Sequence, residues 1–361
     1  MNVRKIKNGL LILGGILTRK NVFVGPRTIQ FFVSARCLEQ CPWCGVKSIF
    51  IKKKKQQDTR FIDFSLTKKL IDDVSRLGTA QIKLFGEGEP LLHPDIIEMA
   101  RYIRKAAMEC AISTSGTPLD NDLAKHLARI GVHFGIGLHA GKASTWTKIF
   151  SSHSEKDFKK LCDIIAMINH TRGSSVTVDF VISNINHLEI VDFLKLAIQT
   201  GCYAVNYVPL TTFDGTEFLK VNNKQAKIVK DQISEAQAIA KNHRIKTNLD
   251  STYLVSFSDE HASFSTEDIY RRMPCYIGWS RAYIAIDGKV YPCCALVDKY
   301  SMGNAFTTSF KEIWHSEKYR KLRQTGIVQH KENNSYIDSA CASCLEYYYN
   351  ARIHELLHLR L

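Results

Sequence analysis

The chain has 361 residues, with 49 Lys and Arg against 35 Asp and Glu, for a formal net charge of +14. A 45% hydrophobic and 23% charged content excludes disorder and collagen-like repeats, and allows one large domain with a small one, or two medium domains. The 11 cysteines, an odd number behind no clear signal peptide, exclude a disulfide framework and point to a reducing cytoplasm.

The first apolar run, Leu10 to Leu17, follows Arg4, Lys5 and Lys7, but Thr18, Arg19 and Lys20 come after it instead of a small-residue cleavage site. It is shorter than the roughly 20 residues of a bilayer span. Residues 1–26 therefore read as a helical extension packed on the main domain, with a membrane-surface contact as the alternative. Across residues 27–250, short β-rich runs alternate with helical patterns. The strand-like runs are Thr28 to Ser34, Gln81 to Phe85, Ala111 to Thr114, Val132 to Leu138, Val176 to Ile182 and Ala204 to Val208. The helical stretches are Leu66 to Leu77, Asp95 to Ala107, Asn121 to Ile130, Lys156 to Asn169 and Leu188 to Thr200. Ser65 and Asp120 read as N-caps, and Gly78, Gly131 and Gly201 as stops. Lys52 to Lys55 read as a solvated basic loop.

Six strand–helix units in order predict parallel strands with right-handed crossovers, an α/β fold forming a partial (β/α)6 TIM-like barrel. Chemistry in such folds sits at the carboxyl ends of the strands. A polar helix, Asn222 to Asn242, closes this region. Residues 251–361 read as a small C-terminal α+β domain. It contains a hairpin over Tyr283 to Tyr291 turning at Asp287-Gly288, a helix Ser309 to Gln324 and a last helix Leu345 to Leu361.

The loop after the first strand reads Cys37-Leu-Glu-Gln-Cys41-Pro-Trp-Cys44. Three thiolates this close converge on one metal centre. A 4Fe–4S cubane normally takes four, so three leave one iron open for a small molecule. Structural zinc, or three incidental loop cysteines, is the alternative. With Trp43 before the third cysteine, this C-x3-C-x2-C loop resembles the radical S-adenosylmethionine (radical SAM) superfamily. The resemblance implies a 4Fe–4S cluster on Cys37, Cys41 and Cys44, with S-adenosylmethionine on its open iron. It further implies reductive cleavage to a 5′-deoxyadenosyl radical, and an external electron donor such as flavodoxin or ferredoxin. The cofactor carries the hard chemistry while the protein positions and shields it.

Later motifs extend the resemblance over Arg27 to Pro209. Gly86-Glu87-Gly88-Glu89-Pro90 is similar to the family's Gly-Gly-Glu-Pro segment at the methionine amino group. Gly88 allows close backbone approach and Glu89 accepts hydrogen bonds from an ammonium. Ser113-Thr114-Ser115-Gly116 is similar to a Thr-Asn-Gly motif, in which Ser113 and Thr114 would meet the cofactor carboxylate. Ordinary turn capping is the alternative. Gly137-Leu138-His139-Ala140 has Gly137 where relatives carry a ribose-binding Ser. His139 there either faces the site or is structural. After the fifth strand, Ile182 would pack on adenine and Asn184 would hydrogen-bond the cofactor.

Cysteines return in the last third. Cys275, Cys293 and the pair Cys341 and Cys344 form a chelate pattern that zinc or iron would satisfy. The surrounding Ile286 to Cys293, Met302-Gly303-Asn304 and Glu312-Ile313-Trp314 resemble the SPASM/Twitch extension of radical SAM enzymes. That resemblance implies one auxiliary 4Fe–4S cluster on Cys275, Cys293, Cys341 and Cys344, with Cys294 as an alternative to Cys293. Cys110, Cys162 and Cys202 read as buried small hydrophobes.

The function expected is hydrogen abstraction from a small-molecule or peptide substrate. The leading form is oxidation of a sugar-like or peptide substrate with the auxiliary cluster taking the electron. A redox-neutral epimerisation or bond formation is the second form. The positive charge favours an anionic substrate. A metal-stabilised nucleic-acid-binding protein stands far behind, because no nucleic-acid motif is present. No segment reads as transmembrane. Tyr207, Asp214 and Arg281 are expected near the site mouth, and no catalytic acid or base is assigned.

Overall fold

The computed structural model describes residues 3–52, 58–249, 273–328, 341, 344 and 346–358. Lys53 to Lys55 of the basic loop, and both ends of the expected last helix, lie outside these residues. The strands are β1 Thr28–Phe32, β2 Gln81–Phe85, β3 Glu109–Thr114, β4 His133–Gly137, β5 Ser175–Ile182, β6 Ala204–Pro209 and β7 Lys246–Thr247. They pair in chain order, all parallel. The connecting helices are α2 Phe64–Arg76, α3 Ile96–Lys105, α4 Asn121–Ile130, α5 Ala143–Ile149, α6 Glu155–His170, α7 Ile190–Gln199 and α8 Asn223–His243, preceded by α1 Val3–Leu17. The expected α/β barrel with parallel strands is present. The short β7 and α5 went unread because two strand residues or two helical turns carry little periodicity.

Local chemistry sets the helix ends. Asp120 caps α4 by accepting from the Leu123 amide at 2.8 Å, and Gly131 ends it in the left-handed conformation at φ 82°. At α2 the cap is Asp63, not Ser65: its carboxylate accepts from the Leu66 amide at 2.8 Å and starts the helix earlier. A capping box between Ser154 and Asp157 opens α6.

Alternation along each strand sorts the side chains. On β5, Phe180 packs on Phe193 of α7 with ring centroids 4.7 Å apart, so its parity faces the helices. The other parity carries Asp179, whose Oδ1 accepts from Asn206 Nδ2 on β6 at 2.9 Å. A Cβ added to Gly135 on β4 would sit 3.8 Å from both Asp179 Oδ2 and Ser113 Oγ. The barrel interior thus has a polar lining of Ser113, Asp179 and Asn206, with Lys83 in electrostatic reach of Asp179. Tyr207 belongs to the helix-facing parity of β6. It is fully buried, its hydroxyl donating to the Ile190 carbonyl at 2.8 Å, so it lies away from the site mouth.

The C-terminal region continues the same sheet. Strand β8 Arg281–Ile284 pairs parallel to β1, β9 Lys289–Tyr291 returns antiparallel to it, and β10 Gly303–Asn304 follows. The result is one ten-stranded sheet in the order β10-β9-β8-β1-β2-β3-β4-β5-β6-β7. The hairpin turns where Asp287-Gly288 predicted, with Gly288 at φ 83°. Helix α9 Ile277–Ser280 precedes β8. The helix expected over Ser309 to Gln324 is two, α10 Phe310–His315 and α11 Glu317–Val328, separated at Ser316. The last is α12 Tyr347–His358. Helix α1 buries Ile12 and Ile16, and among the described residues no helix is long and apolar enough to cross a membrane.

Candidate metal centres and cofactor site

The Cys37–Cys44 loop grows directly out of β1. Val33 extends the β1–β2 ladder by donating to Phe85 O at 2.8 Å, and Ala35 donates to Arg60 O at 2.9 Å. Beyond that the chain turns through the three half-buried thiols. Backbone amides point at two sulfurs: Glu39 N reaches Cys37 Sγ at 3.4 Å, and Lys47 N reaches Cys44 Sγ at 3.2 Å. Burial, aided by neighbouring carboxylates and the Cys44 thiol, pushes Cys37 up to about 11. Burial also drives Cys41 upward, with Cys44 and Cys37 opposing its ionisation. Three mutually repelling thiolates with aimed amides suit a cationic iron centre, which deprotonates thiols outright.

Two side chains within the loop fasten it. Glu39 is buried, and its Oε1 accepts from Thr117 Oγ1 at 2.8 Å and from His153 Nε2 at 2.9 Å. Trp43 lies edge-on to the His139 ring, centroids 5.3 Å apart. His139 has φ 58°, and its Nδ1 accepts from the Val181 amide at 3.2 Å, so the ring proton sits on Nε2. Burial lowers this imidazole to about 4, and it is neutral. A Cβ on residue 137 would lie 2.7 Å from His139 Nε2, which explains glycine at that position.

The residues expected at the cofactor are dispersed more than the motifs suggest. Gly88 is required by chain crossing: a Cβ there would lie 2.3 Å from Arg36 O. Glu89 accepts from Thr114 Oγ1 at 2.6 Å, Leu91 N at 3.1 Å, and Ser115 N and Oγ at 2.8 Å each. Burial raises its carboxyl, and those four donors act against that rise. Glu89 is therefore a hub joining the β2 and β3 loops, and Thr114 is engaged by it. Ser113 faces the lumen. Ile182 belongs to the helix-facing parity of β5, fully buried in the main core, so it is turned from the interior. Asn184 donates to Phe218 O at 2.7 Å. Asp214 pairs with Lys52 at 3.1 Å on the surface. Glu39, Thr117, His153 and Ser115 went unread because their roles arise from contacts between distant loops.

A second gathering of thiols lies beyond β9. Burial raises Cys293 strongly, and Cys294, Cys344, Cys275 and Cys341 all oppose its ionisation. Cys275 donates its amide to Gly326 O at 2.8 Å, and its sulfur receives Asn350 Nδ2 at 3.9 Å. Cys294 is pushed up to about 12 by burial, then by Glu346 and Cys344, and it sits beside the Tyr283 hydroxyl. Tyr283 in turn donates to Glu346, which pairs with Arg281 at 3.3 Å. All 11 cysteines are free thiols; Cys110 and Cys202 are buried and Cys162 is half-buried.

The family model for the radical SAM superfamily matches residues 31–197, and that for SPASM, an iron–sulfur cluster-binding domain, matches residues 275–345. The chain is 24% identical over 336 residues to the tungsten-containing aldehyde ferredoxin oxidoreductase cofactor-modifying protein of Pyrococcus furiosus, covering 86% of this chain and 85% of that one. It is 23% identical over 326 residues to the PqqA peptide cyclase of Gluconobacter oxydans, covering 88% and 82%. Among solved structures, Streptococcus suis SuiB bound to its precursor peptide SuiA has the same fold, with TM-score 0.65 at 13% identity, covering 93% of this chain and 80% of that one.

Proposed function

The chain belongs to the radical SAM superfamily and carries a SPASM domain, and from this premise we propose that it abstracts hydrogen from a peptide or cofactor substrate held in the barrel interior. Relatives named as a peptide cyclase and a cofactor-modifying protein support that substrate range. The observation that carries the reading is the arrangement of the two thiol groups on one sheet. The first follows β1 and the second follows β9, with only β8 between those strands. A polar interior lies on the same sheet.

A 4Fe–4S cluster with S-adenosylmethionine, held on Cys37, Cys41 and Cys44, supplies the hydrogen-abstracting radical when bound. The protein's own residues do the rest. Glu39 and Trp43 hold the cysteine loop in place. Lys83 attracts an anionic substrate group, while Asn206 steadies Asp179 so that its second oxygen faces the space over Gly135. In the oxidative form, Asp179 would take the proton that leaves the substrate, and Cys275, Cys293, Cys341 and Cys344 would hold a second cluster, which would supply a one-electron acceptor. Burial raises the Asp179 carboxyl, which makes it a better proton acceptor than an exposed aspartate. Cys294, turned to Tyr283 and Glu346, stays outside the ligand set. The basic surface suits an acidic donor such as flavodoxin or ferredoxin, and a reducing cytoplasm suits the free thiols.

Anaerobic reconstitution tests this. The native chain is expected to hold about eight irons, four per cubane, and Cys41→Ala and Cys344→Ala about four each. Cys41→Ala should release no 5′-deoxyadenosine under dithionite, whereas Cys344→Ala should still release it. A colourless, zinc-loaded chain would refute the proposal. Recovery of solvent deuterium in substrate without net electron loss would replace oxidation with the redox-neutral form.

A further inference from the structure

A cavity of about 570 Å³ lies at the amino-terminal ends of β1, β2 and β8, opposite the Cys37–Cys44 loop. Its size is within the ~300–1,000 Å³ typical of small-molecule sites. One end is polar: Arg27, Thr28, Gln81 and Arg281 stand at or just before the first residues of β1, β2 and β8. The walls are apolar, with Leu10 and Leu13 of α1 and Ile353 and Leu356 of α12. Leu10 is 54% and Leu356 48% exposed, so the mouth presents apolar surface to water.

Gly9 indicates that the space is kept open. Glycine inside a helix is destabilising relative to alanine, so it calls for a reason. In the same helix Gly15 has one: a Cβ there would lie 2.9 Å from Asn21 O. Gly9 has no such neighbour, with no heavy atom within 4 Å of its missing Cβ, and it lines the cavity. The charges favour one ligand sign. Arg281 is paired with Glu346 and Arg352 with Glu355. Arg27 is exposed and makes no ion pair among the described residues, which leaves one uncompensated cation at the polar end.

We propose that this cavity is a binding site for an anionic amphiphile, one apolar tail against α1 and α12 with a carboxylate, sulfonate or phosphate at Arg27. The site is separate from the radical centre, and its test does not depend on that chemistry. The reconstituted full chain is titrated with 8-anilinonaphthalene-1-sulfonate by fluorescence, and the dye is displaced with dodecanoate or dodecanol. Dodecanoate should displace it at least tenfold more effectively than dodecanol. Gly9→Leu, which fills the space with a better helix former, should weaken dodecanoate at least tenfold without lowering Tm, iron content or 5′-deoxyadenosine release. Arg27→Gln, at an exposed position, should weaken dodecanoate about tenfold and leave dodecanol unchanged; it decides the matter alone if Gly9→Leu lowers Tm. Equal displacement by acid and alcohol, or dodecanoate binding untouched by Arg27→Gln, would overturn the assignment.

Discussion

Acidification from pH 8 to pH 5 is expected to weaken the fold by about 2 kcal/mol through His139 alone. Burial holds this imidazole at about 4 in the folded chain, against an ordinary value of 6.5. The unfolded chain therefore takes up a proton as pH drops through 6.5, while the folded chain refuses it until about 4. The stabilisation is fully present above 6.5 and is lost as pH falls toward 4. Each unit of pKa difference is worth about 1.4 kcal/mol, so the loss approaches about 3 kcal/mol below pH 4 and about 2 kcal/mol at pH 5. The Val181 amide that donates to Nδ1 reinforces this, since that nitrogen cannot be protonated without breaking the bond. Urea unfolding followed by far-ultraviolet circular dichroism at pH 8, 6.5 and 5 measures it, with His139→Asn as reference. Asparagine tolerates the left-handed backbone at this position better than most residues. The native chain should lose about 2 kcal/mol more than the variant between pH 8 and 5. Parallel pH profiles would refute the reasoning.

Glu39→Ala removes the acceptor shared by Thr117 and His153 and should cost about 1–3 kcal/mol. Iron on the N-terminal site should then be lost faster to a chelator, while the second site keeps its iron; the rate of bleaching with each cysteine variant as background checks both. Phe180→Ala opens a void between Phe193 and Tyr207 and should cost about 3–5 kcal/mol by urea unfolding, with iron content after reconstitution unchanged.

Local signals in the chain were enough for much of this architecture. The C-x3-C-x2-C loop, the alternation of β-rich and helical runs, and Asp287-Gly288 each act over a few residues, and each reads directly from neighbours along the chain. Asp120 and Gly131 likewise act within one helical turn. Ser65 misled because Asp63 accepts from the Leu66 amide and starts the helix two residues earlier. Longer-range roles were out of reach. Glu89 reads as a cofactor contact from its motif, whereas its bonds to Thr114, Ser115 and Leu91 form only once the β2 and β3 loops meet. Ile182 lies at the end of the expected strand, but strand parity turns it toward the helices.

What the amino-acid order set by itself is the layered barrel and the spacing that marks the candidate sulfur donors on it, because spacing and periodicity are short-range properties. Only the tertiary structure decided that the C-terminal hairpin joins the free edge of β1, that Cys294 lies beside Tyr283 and Glu346, and that Glu39 is tied to His153. Those outcomes depend on which distant backbones fill one another's hydrogen-bonding edges and on which side chains are left to share a buried volume. No pattern along the chain records that sum.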